Sequence, residues 1–438
     1  MTSSSPSSVS FPGRALILLG ALAGLGHFNR VAISVVGNEY LIPEAGWSEV
    51  QMGWIYSAFY LSYTLCMLPC GHWIDRVGPK RALLYFALFS GWSVILMGIA
   101  GMAMAASTAL LGTLITLRAA AGAVGTPLHP AAASTLVRIP EPSIRIRANG
   151  WVSASALIGV ACSYPLFGGL MDRIGWSGAL VASGVALMVT GLIWRYLGPV
   201  APARTAKAAQ ENKLSEHPGL MELLKEPKLM LLGLSYAAFC YFQYLAFFWG
   251  NRYVSDILDV APSTARWIAS LMMAFHGIGM VLGGFLTPSG QGSRDPVRSR
   301  GRMAMLSMSA AAAMGLMAVS FKEPYGVIAL LTLSLAWLGV SEGIFWTQAA
   351  EWGKAASGQS AAIMNTWGNM GGLIAPIAAA WIAASYGWSI SIGVACFLLL
   401  GGAAAWGRIL LIHGSTQKIQ PGDRVLPLFY CAIHLNAA

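Results

Sequence analysis

The stretch Gly71-His72-Trp73-Ile74-Asp75-Arg76-Val77-Gly78-Pro79-Lys80-Arg81 decides how this chain folds. It is short and charged, it is bracketed by glycines, and it sits between two long apolar runs. Water must reach such a segment, while the runs on either side can be taken by lipid. It is too short to be a domain, so it joins two neighbouring membrane spans tightly. Gly71 and Gly78 allow a close helix approach and a sharp bend. Asp75 suits the start of the next helix or a pair with Arg76 or Arg81.

Composition agrees. The chain has 438 residues, 56% of them hydrophobic and only 10% charged. Soluble domains carry roughly a quarter charged residues, so this is an all-α polytopic membrane protein. The net charge of +10 is not a nucleic-acid footprint, because the basic residues cluster in alternate loops. Loops on the side of the opening stretch carry Arg76, Lys80 and Arg81, then Arg138, Arg145 and Arg147, then Arg294, Arg298, Arg300 and Arg302. Loops on the other side carry Arg173, Arg252, Arg266 and Lys322, and the first of them is acidic, with Glu39, Glu44 and Glu49. The positive-inside rule then puts both termini in the cytoplasm. Six scattered cysteines, Cys66, Cys70, Cys162, Cys240, Cys396 and Cys431, lack metal-ligand spacing and read as packing residues. No metal, cofactor or nucleic-acid partner is expected.

Twelve spans are expected, with the fourth (109–137) long, tilted or bent. A polar tail at 1–13 precedes a six-helix bundle at 14–198. A cytoplasmic linker at 199–228 leads to a second bundle at 229–411, and a tail follows at 412–438. The halves repeat: Trp54-Ile55, Ser57 and Gly71 recur as Trp267-Ile268, Ser270 and Gly284. Pro165 and Gly175-Trp176-Ser177 recur as Pro376 and Gly387-Trp388-Ser389.

The opening pattern, G-x-x-x-D-R-x-G-x-[KR]-[KR], resembles the loop signature of the major facilitator superfamily between its second and third spans. That resemblance implies two pseudo-symmetric six-helix bundles, a midplane site between them, and a monomer in a bacterial inner membrane. It makes Gly71, Asp75, Arg76, Gly78 and Arg81 a conformational latch. Asn29-Arg30 in the first span and Arg118 to Pro130 in the fourth resemble the anion:cation symporter branch. So do Arg145 to Gly150, read as a loop, and Asn365 to Gly372 in the eleventh span. In that branch the arginine at the Arg118 position binds substrate anions in the central cavity. The one at the Arg30 position is paired with a preceding Asp, which here is Asn29, and the branch's fourth-span Glu is here Gly125. Proton coupling is thereby in question, and two arginines lack local counter-ions.

Charges deep in spans are functional candidates. Arg30 and Arg118 can grip a carboxylate or sulfonate. Gln243 and Tyr244, in the aromatic seventh span, and Asn365 and Asn369, four apart on one face, complete a candidate anion site. Glu342, His129 and His27 are the candidate proton carriers, with Glu342 also able to neutralise an arginine. Lone membrane histidines and carboxylates otherwise serve as packed structural partners. The expected function is uptake of a small organic anion, such as a carboxylate, sugar acid or sulfonate, by alternating access. Alternatives are an efflux carrier for a drug or metabolite and a transport-dead sensor of the same fold. Nucleophile, paired-carboxylate and phosphate-loop motifs are not found, so an enzyme is not expected.

Overall fold

The computed structural model describes residues 13–136, 142–199, 220–286, 295–353 and 357–418. Arg138, Arg294, the polar start and the last twenty residues lie outside them, as does most of the linker. The side chains of Asp75, Arg145 and Arg147 are also outside the description.

Among the described residues, ten helices are long and apolar enough to cross a membrane. One of them, Ala148–Leu197, is 50 residues long. It is two spans, because Gly175 breaks it with φ 73°, a value that favours glycine. The more polar helix Glu49–Val77, 29 residues long, is the second span and completes twelve.

Local signals set the helix ends. The first span, Gly13–Val36, widens into a π-helical turn at Gly37–Leu41. Ser48 starts the second with a capping box: its hydroxyl accepts from the Gln51 amide, and Gln51 reaches back to the Ser48 amide at 2.8 Å. The turn after it is a single residue, Gly78, at φ 83°. Pro79 then opens the third span, Pro79–Ala103. Gly71 therefore lies inside the second helix, exposed and with no neighbour near its missing Cβ. The expected sharing of the bend between two glycines is wrong, since Gly78 makes it alone. The turn is pinned to the sixth span: Lys80 Nζ donates to the Gly198 carbonyl at 2.6 Å, and Trp194 Nε1 to the Lys80 carbonyl at 3.1 Å.

The fourth span is bent as expected, breaking between Thr108–Gly125 and Leu128–Leu136, where Pro127 supplies no amide proton. Residues 145–150 are not a loop. They are the opening turns of the fifth span, Pro142–Cys162. The sixth ends at Leu197. A short helix, Leu220–Lys225, precedes the seventh span, Pro227–Arg252. The eighth is Pro262–Leu286 and the ninth Pro296–Ser320. The tenth breaks at Ser341 into Pro324–Val340 and Glu342–Gly353, matching the broken fourth span of the other half. The eleventh is Ser357–Tyr386 and the twelfth Trp388–Lys418, so helix continues past the expected span end. Gly387, at φ 88°, repeats the turn made by Gly175. The sequence repeat thus recurs as equal backbone geometry.

Spans one to six pack on one another, third against sixth and first against fifth, and spans seven to twelve do the same, ninth against twelfth and eighth against tenth. The halves meet where the second span lies on the eleventh and the fifth on the eighth. This seam is aromatic, with Tyr56 stacked on Phe248 at 4.7 Å. Bonds across it lie toward the end opposite Gly78. Asn38 Nδ2 donates to the Phe248 carbonyl at 2.8 Å, Tyr164 Oη to the Phe247 carbonyl at 2.7 Å, and Arg252 Nε to Glu49 Oε1 at 2.7 Å.

Candidate functional site

The first half holds a small cavity between its first, second, third, fourth and sixth spans, with polar groups set into a largely apolar wall. Its lining includes His27, Asn29, Arg30, Ser90, Arg118 and His129. Four of the sequence candidates therefore converge on one space. The cause is helical spacing: residues 27 and 30 face one side of the first span, and the bend after Gly125 turns His129 toward them. The His27 and His129 rings meet edge to face at 5.1 Å, and His27 Nδ1 lies 3.1 Å from the Ala23 carbonyl.

Arg118 is 1% exposed. Its Nη2 donates to the backbone carbonyl of Arg30 at 3.1 Å, and its Nε has no partner. Arg30 leaves Nε and Nη2 without partners. Among the described residues, neither arginine forms an ion pair with a carboxylate. Aromatic faces of the second span offset part of that charge instead. The Arg30 guanidinium lies 4.6, 4.5 and 5.1 Å from the ring centres of Phe59, Tyr60 and Tyr63. That of Arg118 lies 4.9 Å from the Phe59 ring. These aromatics were not among the expected site residues. The sequence shows rings at 59, 60 and 63 on one helical face, and the packing decides that this face meets the arginines.

The second half contributes unevenly. Tyr244 meets Tyr60 edge to face at 4.6 Å, so it reaches the arginine cage across the seam. Asn369 is 5% exposed and its Nδ2 has no partner, while Asn365 is half-buried one turn earlier. Gln243 turns away. Its amide Nε2 lies 2.8 Å from His276 Nε2, and His276 Nδ1 lies 2.9 Å from the Leu335 carbonyl. Buried side-chain amides need partners, and His276 supplies Gln243 with one inside its own bundle. A direct substrate contact by Gln243 is therefore not what the geometry presents.

Glu342 does not neutralise an arginine, contrary to one expectation. Its Oε1 accepts from Tyr236 Oη at 2.9 Å and from Trp346 Nε1 at 2.8 Å. Its Oε2 is buried without a partner. The break at Ser341 places this carboxyl at the start of a new helix, beside the seventh span.

The expected latch divides. Gly78 makes the turn, Arg76 and Arg81 stand exposed, and the Asp75 side chain is outside the described residues. A second cluster that the sequence reading missed lies at the other end. Arg266 of the eighth span donates to Glu39 of the first span and to Asp172 at the end of the fifth. Asn251 Nδ2 donates to the same Glu39 at 2.8 Å. The acidic first loop and the isolated arginines facing it in the second half were the available signal.

Known proteins resemble this chain over most of its length. A Bacillus subtilis (strain 168) protein named "Probable galactarate/D-glucarate transporter" is 24% identical, covering 94% of this chain and 95% of its own. An Escherichia coli "D-galactonate transporter" is 22% identical over 94% and 99%. A solved bacterial homologue of the human lysosomal transporter Spinster, inward-facing and occupied, superposes with a TM-score of 0.73 at 14% identity, covering 93% of this chain and 98% of its own. The Major Facilitator Superfamily profile matches residues 16–352. With twelve spans in two repeated halves and the profile spanning most of its length, the chain belongs to the Major Facilitator Superfamily.

Proposed function

We propose that this chain is a secondary transporter that takes up a small organic acid, a sugar acid foremost, by alternating access between two six-span halves at 14–198 and 229–411. The observation that carries this reading is the pair of guanidiniums, Arg30 and Arg118, buried in one half with unpartnered N–H groups and, among the described residues, no carboxylate beside them. Buried cations without counter-ions are costly, and an anionic cargo offsets that cost when it binds. Arg30, caged by Tyr60 and Tyr63 and approached by Tyr244, faces the seam where such a cargo would lie. Asn365 and Asn369 offer amides from the opposite half. The substrates named for the relatives, galactarate, glucarate and galactonate, are polyhydroxylated carboxylates of this charge and hydrogen-bonding type.

The basic turn at Gly78 faces the cytoplasm in this reading, with both termini on the same side, in the inner membrane of a bacterium and as a monomer. Coupling to protons runs through Glu342, with His27 and His129 as further carriers. The uptake test uses a panel of radiolabelled organic anions in proteoliposomes, with and without a pH gradient. Saturable uptake of a sugar acid, lost in Arg118→Ala, is the expected result. Export of cationic or apolar compounds, with no anion uptake, would overturn the reading in favour of an efflux carrier.

A further inference from the structure

The seventh span carries a row of polar side chains between Glu342 and Arg30. Tyr236, Cys240 and Tyr244 are four apart, so they share one face of the helix. At one end of the row Tyr236 Oη donates to Glu342 Oε1 at 2.9 Å. At the other end the Tyr244 ring meets Tyr60 at 4.6 Å, and the Tyr60 ring lies 4.5 Å from the Arg30 guanidinium. The row thus crosses the seam, from a carboxyl of the second half to an arginine of the first. Between residues 236 and 244 the helix rises about 12 Å. The eleventh span seals it. A Cβ built on Gly368 would lie 2.6 Å from the Tyr236 ring and 2.9 Å from Cys240 Sγ. One on Gly372 would lie 2.7 Å from the Tyr244 ring and 3.1 Å from the Tyr60 ring. With no side chain at either position, the backbone packs directly on the row and keeps water from it. Charges at its two ends are then poorly screened. The titratable groups that face Glu342 are Tyr236 and Cys240 of the seventh span. Among the described residues no cation pairs with it.

We infer that the Tyr236–Cys240–Tyr244 face links the two sites, so that a proton on Glu342 and an organic anion at Arg30 favour one another's binding, with Tyr236 as the positioning residue. The inference rests on the uptake reading and on Glu342 as its proton carrier. A charged Glu342 repels an anionic cargo, and a neutral one does not. At about 12 Å and an effective dielectric of about 20, that repulsion changes affinity about tenfold. Linkage is reciprocal, so the cargo strengthens proton binding by the same factor. Tyr236 sets how far this works. Glu342 Oε1 has two donors, the Tyr236 phenol on the row and the Trp346 indole, which belongs to a side chain 39% exposed on the carboxylate's own helix. Without the phenol only the indole holds the carboxyl, which then swings off the row toward water.

The experiment measures equilibrium binding of labelled D-galactonate, galactarate and D-glucarate to the full chain in detergent, from about pH 8 to about pH 5, where these acids stay ionised. Wild-type affinity is expected to rise about tenfold toward the acid end. Glu342→Gln is expected to bind at the acid-end affinity throughout. Tyr236→Phe is expected to keep the acid-end affinity, which also shows that it has folded, while its pH dependence shrinks to about threefold or less. A packing role for Tyr236 would instead lower affinity equally at every pH. Trp346→Phe, which leaves the carboxyl to Tyr236, is expected to keep the full dependence, and it decides the matter if Tyr236→Phe does not fold. A wild-type affinity that ignores pH overturns the inference, and so does a full dependence in Tyr236→Phe or a lost one in Trp346→Phe. His27 and His129 line the arginine cavity and titrate as well. A dependence that survives Glu342→Gln belongs to them and overturns the inference too. Binding of none of the acids at any pH overturns the uptake reading together with this one, whereas binding without the expected pH pattern overturns this one alone.

Discussion

Arg266 and Glu39 join the two halves of the molecule. The guanidinium Nη2 lies 2.6 Å from Glu39 Oε2, and Nε lies 2.9 Å from the same oxygen. Both side chains are nearly buried, at 8% and 6% exposure, at the end of the bundle opposite the basic turn. Asp172 takes the other edge of the guanidinium, from a side chain 55% exposed. The pair ties the first half to the second at this end of the seam.

Replacing one partner of a buried pair leaves the other charged and unmatched. Arg266→Ala is expected to destabilise the purified protein by about 3 kcal/mol, because Glu39 stays buried without a cation. Asp172→Asn is expected to cost less than about 1 kcal/mol, because water screens that carboxylate. Thermal or denaturant unfolding of both variants checks the order. Equal effects would show that the fifth span, rather than the first, carries this contact.

Phe59 lies under both cavity guanidiniums, at 4.6 Å from Arg30 and 4.9 Å from Arg118. Phe59→Leu keeps apolar bulk and removes the ring's negative face. It is expected to tighten organic-acid binding severalfold, because the ring face that offsets both guanidinium charges is gone and the bound anion takes over that role. Phe59→Tyr is expected to bind within about threefold of wild type, because the face is kept. A binding isotherm for the transported acid checks both.

Glu342 gives Oε1 to two donors and leaves Oε2 bare, the arrangement of a carboxyl that can carry a proton on its free oxygen. Glu342→Gln keeps the two bonds and removes the titration. Accumulation driven by an imposed pH gradient is expected to fall about tenfold or more, equivalent to on the order of 1.4 kcal/mol. Exchange of labelled for unlabelled acid at equal pH is expected to persist. Equal loss of both activities assigns Glu342 to packing.

Asp295 caps the ninth span, accepting from the Arg298 amide at 3.0 Å, and its Oδ1 lies 3.2 Å from His413 Nε2 on the twelfth. Partial burial pushes its carboxyl up, but the Arg298 amide and His413 outweigh that and hold it below the usual carboxylate range. A carboxyl held low stabilises the fold above its ordinary range and loses that contribution as pH falls through it. Asp295→Ala is expected to cost about 1 kcal/mol near neutrality. The gap between wild type and variant is expected to close in acid, as unfolding measured across pH checks.

The fold was legible in particular residues. Gly78-Pro79 specifies a bend with no choice of conformer, because only glycine takes φ 83° at little cost and proline then starts a helix. Gly175 and Gly387 announced the repeat and then adopted the same positive φ in both halves. Arg30, Arg118, His27 and His129 stood out because charge and imidazole are rare in apolar spans, and helical spacing brought them to one cavity. That Gln243 meets His276 could not be read from the sequence, because its residue type says that it needs a partner but not which one. Phe59 was passed over because a ring in an apolar run looks the same whether it faces lipid or a guanidinium.

By itself the sequence determined what local chemistry controls: the spans, the turns, the doubled architecture and the short roster of polar groups that lipid cannot tolerate alone. Only the tertiary structure decided how those groups pair. It gave Glu39 to Arg266, Gln243 to His276 and Glu342 to Tyr236 and Trp346, and among the described residues it left Arg30 and Arg118 without a carboxylate. Pairing depends on which helix faces meet across tens or hundreds of residues, and packing of whole helices sets that, not the spacing within any one of them.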